Sequence, residues 1–313
     1  MNARRPSGAA LLALLLALAA CASGPRPDPY GHAERACVPP PSAAPPGAGA
    51  ATDPAVLAAL QARGFSPRAL AAAQSIGVTE PLLRLTEPGA ERRNPLAHLR
   101  ERQRFSDDML LAFLTVEATA AQIECERERG RTLRVALQGQ IDQRARQVGL
   151  LGVGVGAVAA VASGALSLAA ADTASNVIAI GAGTIGAGLA AYPFLSAAEG
   201  ELRTRDNLLV EVWEGQRAPP RLPPGIWSHL NRAVEPEPSP RDLLVAVWSR
   251  PELLGPRGSE DELVRAPLIL GEGGSFSVET LDARDAMLSQ LGAAVALKAR
   301  YLRALLAETA ARR

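Results

Sequence analysis

The chain has 313 residues, 48% hydrophobic, 4% aromatic and 21% charged, and its 33 Lys plus Arg against 32 Asp plus Glu give a net charge of +1. That balance excludes a strongly basic nucleic-acid binder and an acidic solvating tail, because neither electrostatic field is present. With 25 Pro and 28 Gly it is neither collagen-like nor wholly disordered, and the apolar fraction suffices for a core spread over two or three modest units. Lys298 is the only lysine, so nearly all positive charge is arginine; that reads as compositional bias rather than as a phosphate-binding device.

The N-terminus is an address. Arg4 and Arg5 precede an apolar run from Ala9 to Ala20, then Cys21 and the small residues Ala22-Ser23-Gly24. A basic start, a short apolar stretch and small residues at its end describe a secretory signal. The run is too short to span a hydrocarbon core of about 30 Å as a helix. Leu18-Ala19-Ala20-Cys21 resembles the lipobox of bacterial lipoproteins. The resemblance implies that residues 1–20 are removed and that Cys21 becomes the acylated first residue of the mature chain. Ala at position 22, where Asp would signal retention, resembles the outer-membrane sorting class. Two cysteines then remain, Cys37 and Cys125. In an exported protein they are a candidate disulfide, the alternative being two separate thiols.

Residues 21–52 carry eight prolines among Gly and Ala and read as an extended tether. Residues 53–104 read as short helices, with Asp53-Pro54 starting one and Gly64 and Gly77 as punctuation. From Ser106 a helical pattern begins: Met109, Phe113, Val116, Ala120 and Ile123 alternate spacings of four and three, and Leu133, Leu137 and Ile141 resume it. The charged interval 124–134 between them reads as a solvated helix face.

Two long uncharged stretches follow, 147–171 and 173–198, separated by Asp172. Each is long enough to cross a bilayer as a helix. Small residues recur every fourth position: Gly152, Gly156, Ala160 and Gly164 on the first arm, Ala182, Gly186 and Ala190 on the second, with Ala179, Gly183, Ala187 and Ala191 as a further row. Such rows let helix backbones approach closely in lipid, and the pattern resembles the glycine-zipper two-helix lipoproteins of bacterial outer membranes. Two readings are open: a membrane-inserted hairpin, or a hairpin buried by its own domain or by other copies of the chain. Arg144 and Arg146 lie on the exported side of the first arm, against the positive-inside preference of an inner-membrane span.

Gly181-Ala182-Gly183-Thr184-Ile185-Gly186, after the β-branched run Val177-Ile178-Ala179-Ile180, matches the dinucleotide fingerprint. This is the alternative reading, an enzyme with a nucleotide at 181–186. Against it stand the near-copy Gly152-Val153-Gly154 in a helical stretch, the mirror symmetry of the two arms about Asp172, and the absence of further βαβ units. His32, His98 and His229 stand far apart and show no metal-ligand spacing. No catalytic, metal or cofactor residue is therefore assigned.

Beyond the hairpin, Glu199 to Glu214 reads as a returning helix and 216–240 as a Pro-rich connection. Helix resumes at Asp242–Trp248. Val264–Leu270 and Ser275–Glu279 flank Gly271-Glu272-Gly273-Gly274 as an expected β-hairpin, and Thr280 is placed to cap a last helix with Met287, Leu291, Val295, Leu302 and Leu305 on its apolar face. Glu124-Cys125-Glu126, Asn207-Leu208-Leu209 with Trp213, Pro223-Pro224 with Ile226-Trp227, the 271–274 turn, and Arg284 with Met287-Leu288 and Gln290-Leu291 together resemble a family of uncharacterised bacterial envelope proteins over roughly 105–300. That resemblance implies no activity.

The expected fold is mainly α: a long antiparallel helical hairpin over 105–215 with a glycine-rich apolar tip, plus a small C-terminal helical unit at 241–313 with a short β-hairpin. The expected role is non-enzymatic: a lipid-anchored scaffold or membrane organiser of the cell envelope. Its partners would be membrane lipid, reached through acylated Cys21 and the 147–198 hairpin, and other copies of itself or another envelope protein.

Overall fold

The computed structural model describes residues 37, 48–49, 51–168, 198–215 and 221–312, without the side chains of 147–168. These residues belong to one compact unit, 33–313. Among them are ten helices and a two-stranded antiparallel sheet, so the chain is mainly helical.

Four short helices come first: α1 (Pro54–Ala62), α2 (Pro67–Ile76), α3 (Thr79–Leu85) and α4 (Ala90–Arg93). The sequence sets their limits locally. The Asp53 carboxylate accepts from the Ala55 N–H at 2.8 Å, Ser66 caps α2, and Pro occupies the first helical position of both. Gly77 ends α2 with φ +75°, a conformation that side chains resist. Ala69, Ala71, Ala72 and Ala73 make α2 slim, and it packs between neighbours on two sides.

Helix α5 runs Pro95–Leu168, 74 residues, or about 110 Å at about 1.5 Å per residue. It starts well before the expected Ser106, because the Asn94 side chain accepts from the Ala97 N–H at 3.1 Å and Pro95 suits a first turn. Met109, Val116, Ile123, Leu133 and Leu137 are buried as the periodicity requires. Beyond Leu137 the helix leaves the core, with Gly139, Asp142, Gln143, Ala145 and Arg146 exposed. It continues as helix through the first uncharged arm to Leu168.

Two expectations for the chain after residue 198 are overturned. Glu199–Glu214 is not one returning helix: β1 (Gly200–Arg203), a turn and the short α6 (Leu208–Glu214) replace it. Asn207 makes the break. Its Oδ1 accepts from the Leu209 N–H, while its amide donates to the Ile269 carbonyl at 2.7 Å. The local β-hairpin at 264–279 does not form either. Residues 260–269 are helix α9 (Glu260–Ile269), nucleated by the Ser259 cap and three acidic residues in the first turn.

The strand β2 (Gly273–Phe276) pairs instead with distant β1, Gly200 opposite Phe276 and Arg203 opposite Gly273. Gly273 is obligatory there, since a Cβ would lie 2.0 Å from the Leu202 carbonyl oxygen. The segment 216–240, read as a connection, contains α7 (Pro224–Leu230). Helix α8 follows at Pro240–Trp248, close to expectation.

The last helix, α10 (Val278–Ala311), is capped by Ser277, and Thr280 sits at the third position of a capping box rather than at the cap itself. Its expected apolar face is buried: Met287, Leu291, Val295, Leu302 and Leu305. α10 packs along α5, α2, α7 and α8, so the core lies around it. Trp213 and Trp248 are fully buried, and each indole N–H finds an acceptor, Glu262 at 3.0 Å and Gln290 at 2.8 Å.

Candidate functional site

The polar chemistry of the body gathers along α10 at three places. The first joins α10 to α5. Glu126 sits between two arginines, accepting from Arg129 at 3.0 Å and from Arg284 at 2.8 Å. Arg129 also donates to the Arg203 carbonyl of β1 at 2.9 Å. The trio is buried, Arg284 at 2% exposure. Burial pushes the Arg284 guanidinium down from its ordinary value and the Glu126 carboxylate pushes it back up.

An outer ring surrounds this trio. Arg127 reaches Asp285 at 3.1 Å and Glu124 at 2.7 Å, and Arg131 reaches Glu124 at 3.0 Å. The interval 124–134 is therefore not a solvated face throughout. At 126 and 129 the helix turns inward to meet Arg284, a residue 158 positions away from Glu126. A helical wheel alone could have flagged the two, since Glu126 and Arg129 continue the buried row from Ile123. The Arg284 partner has no local signal.

Immediately before Glu126, Cys125 is joined to Cys37 in a disulfide, with Cα atoms 5.4 Å apart. It fastens the segment before α1 to the same turn of α5 that carries the buried charges.

The second place lies where α2, α7 and α10 meet. Lys298 donates to the Ser75 hydroxyl at 3.1 Å and to the Gly225 carbonyl at 2.5 Å, with both side chains essentially without solvent exposure. Burial brings the Lys298 ammonium down to about 7. Ser75 in turn donates to the Ala72 carbonyl at 2.8 Å. A lysine beside a serine hydroxyl is the raw material of nucleophilic catalysis, but this pair is sealed under packed helices. Gly225 admits the lysine head because any Cβ there would lie 3.1 Å from Nζ. Nearby, burial and the Lys298 charge bring His229 down to about 4, so its ring is neutral, with Tyr301 edge-on at 5.4 Å.

The third place is open: a cleft of about 260 Å³ between α8, the 232–238 loop and α10. Leu244, Val247, Ala294 and Leu297 line it, with Arg232 and Arg300 among its polar residues.

Of the residues singled out in the sequence, Cys37 and Cys125 are brought together and His98 and His229 are not. Gly152, Gly156, Ala160 and Gly164 all lie within helix α5, where a four-residue spacing sets them in one row. So does Gly152-Val153-Gly154, the near-copy of the dinucleotide fingerprint. Cys21, Gly183, Gly186, Ala187, Ala190, His32 and the whole 181–186 motif lie outside the described residues. Among the described residues no helix is long and apolar enough to cross a membrane, and no cluster of three or more His, Cys, Asp or Glu is placed to hold a metal ion. No family model, no curated protein and no solved structure matches the chain.

Proposed function

We propose that this is a non-enzymatic protein of the bacterial cell envelope. It is anchored by acylated Cys21, faces the periplasm, and sits on the outer rather than the inner membrane. Its folded body holds a long helical hairpin, glycine-rich at its apolar tip, against or within a membrane. Its work is structural: it organises membrane or partner surface, and its rows of small residues allow copies to associate.

The observation that carries the reading is α5. Its first half is clamped by a disulfide, a buried ion trio and α10. Beyond Leu137 the helix leaves the core, with residues 142, 143, 145 and 146 exposed, and continues as helix into the first uncharged arm. A rod so held at one end transmits position, and the clamp supplies the stiffness that such a role needs. The disulfide suits an oxidising compartment, in keeping with export.

Chain length is also in accord. Sixteen residues from Cys21 to Cys37 can reach at most about 55 Å. The stretch of α5 from Cys125 to position 147 rises only about 33 Å. An anchor at Cys21 and the start of the uncharged arm can thus meet one and the same membrane.

The test replaces residues 1–21 with a cleavable, non-lipoprotein signal and a serine at the mature start. Membranes are washed in alkaline carbonate and the protein is followed by immunoblot, with sizing controls for aggregates. Retention in the pellet is expected, the hairpin holding the membrane without lipid. Complete release would overturn the membrane role of the hairpin and leave Cys21 as sole anchor. An unmodified Cys21 in the mature wild-type chain, read by mass spectrometry, would overturn the anchor.

A further inference from the structure

The cleft on α10 carries more positive than negative charge in its lining. Arg232 and Arg300 border it, and neither has an acidic partner among the described residues. The Arg232 Nε–H is buried with no acceptor among the described residues, and an orphaned buried donor is costly. The one acid in the lining, Glu237, is largely exposed and lies 4.0 Å from Arg68. The walls between are aliphatic: Leu243, Leu244, Val247, Ala293, Ala294 and Leu297.

We infer that this cleft binds an anionic single-chain amphiphile, a long-chain carboxylate, with its head on Arg232 and Arg300 and its chain along α8 and α10. A carboxylate would accept charge-assisted hydrogen bonds from the open guanidinium NH₂ groups of Arg232 and Arg300. An acyl chain needs no hydrogen bonds, and the walls offer few. A peptide would strand its backbone groups against these leucines and alanines. The volume lies just below the usual range for small-ligand pockets and suits part of one chain, not the two of a phospholipid. The cleft lies wholly in the folded body, so this binding does not depend on how the protein is anchored.

The probe is a palmitic-acid analogue carrying a diazirine and an alkyne, added to membranes isolated from cells expressing the full chain. No acyl-transfer cofactor is added, so light-dependent labelling is separate from acylation of Cys21. Labelled peptides from α8 and from 290–301 of α10 are expected, competed by unlabelled palmitate. The double change Arg232→Ala with Arg300→Ala should lower that labelling by roughly ten-fold. Ala293→Phe, at an exposed position, should do the same by filling the cleft while leaving circular dichroism and the melting midpoint unchanged. Label confined to other peptides, labelling indifferent to both changes, or equal competition by uncharged hexadecanol would each overturn the inference.

Discussion

Glu126 answers two arginine charges in a buried place, and removing it would leave both without their ion-pair partner. Breaking one partner out of a buried charge cluster costs about 3–5 kcal/mol. Glu126→Ala is therefore expected to lower unfolding free energy by that order, measured by urea denaturation, whereas loss of the exposed Arg203–Glu201 contact should change it little. Lys298 works in the opposite sense. Its folded value near 7 lies below the 10.5 of a free lysine, so the folded state resists protonation. Stability should rise as pH climbs from about 7 towards 10.5, and the full burial cost should be present below 7. Lys298→Met should flatten that slope, and an unchanged profile would show that the ammonium is not buried. His229 adds a second window, its stabilisation being lost as pH falls from 6.5 to about 4.

At the scale of elements, α5 shows how far local propensity reaches. It is rich in Ala, Leu, Glu, Arg and Gln, with ion pairs at i,i+3 such as Glu124 with Arg127. Buried Thr119 satisfies its hydroxyl on the Thr115 carbonyl at 2.8 Å, so even a polar residue stays within the helix. Gly139 is a weak point with no tertiary excuse: an added Cβ would meet nothing within 4 Å. Gly139→Ala should stabilise the helix by about 0.5–1 kcal/mol, visible as a higher melting temperature. Gly200 is the contrast, since a Cβ there would lie 2.6 Å from Leu133 Cδ1, where β1 crosses α5. The periodicity of α5 and α10 was legible in advance because helical contacts recur every three or four residues. The β1–β2 pair was not, because its partners are some 70 residues apart and neither strand exceeds four residues. Short runs of that kind look alike whether they pair locally or at a distance.

At the scale of the molecule, α10 is the hub and the two chain regions flanking α5 are tied to it. The far end of α10 closes on the first helices, where Glu308 accepts from the Ser66 N–H and hydroxyl at 2.9 and 2.6 Å, and Arg312 lies over the Phe65 ring at 4.3 Å. The disulfide closes a loop of 88 residues between Cys37 and Cys125. By loop entropy, removing it should cost about 4–5 kcal/mol, and less if the unfolded chain keeps structure. Cys37→Ser with Cys125→Ser should lower the denaturation midpoint accordingly, and an unchanged midpoint would mean that the bridge does not constrain the unfolded chain.

By itself the sequence determined what is periodic, local or compositional. Helical spacing exposed the apolar faces of α5 and α10, Asp53-Pro54 marked the start of α1, Gly64 and Gly77 marked the breaks around α2, and the lack of charge marked 147–198, since each of these properties is encoded within a few turns of its own residue. Only the tertiary structure decided which distant groups share a space. It set Arg284 on Glu126, Lys298 on Ser75 and Gly225, β2 on β1, and Arg232 and Arg300 around a largely aliphatic cleft. Those juxtapositions depend on how α10 lies across the rest of the body, and burial, which gives each of them its energy, belongs to the packed chain and not to any segment of it.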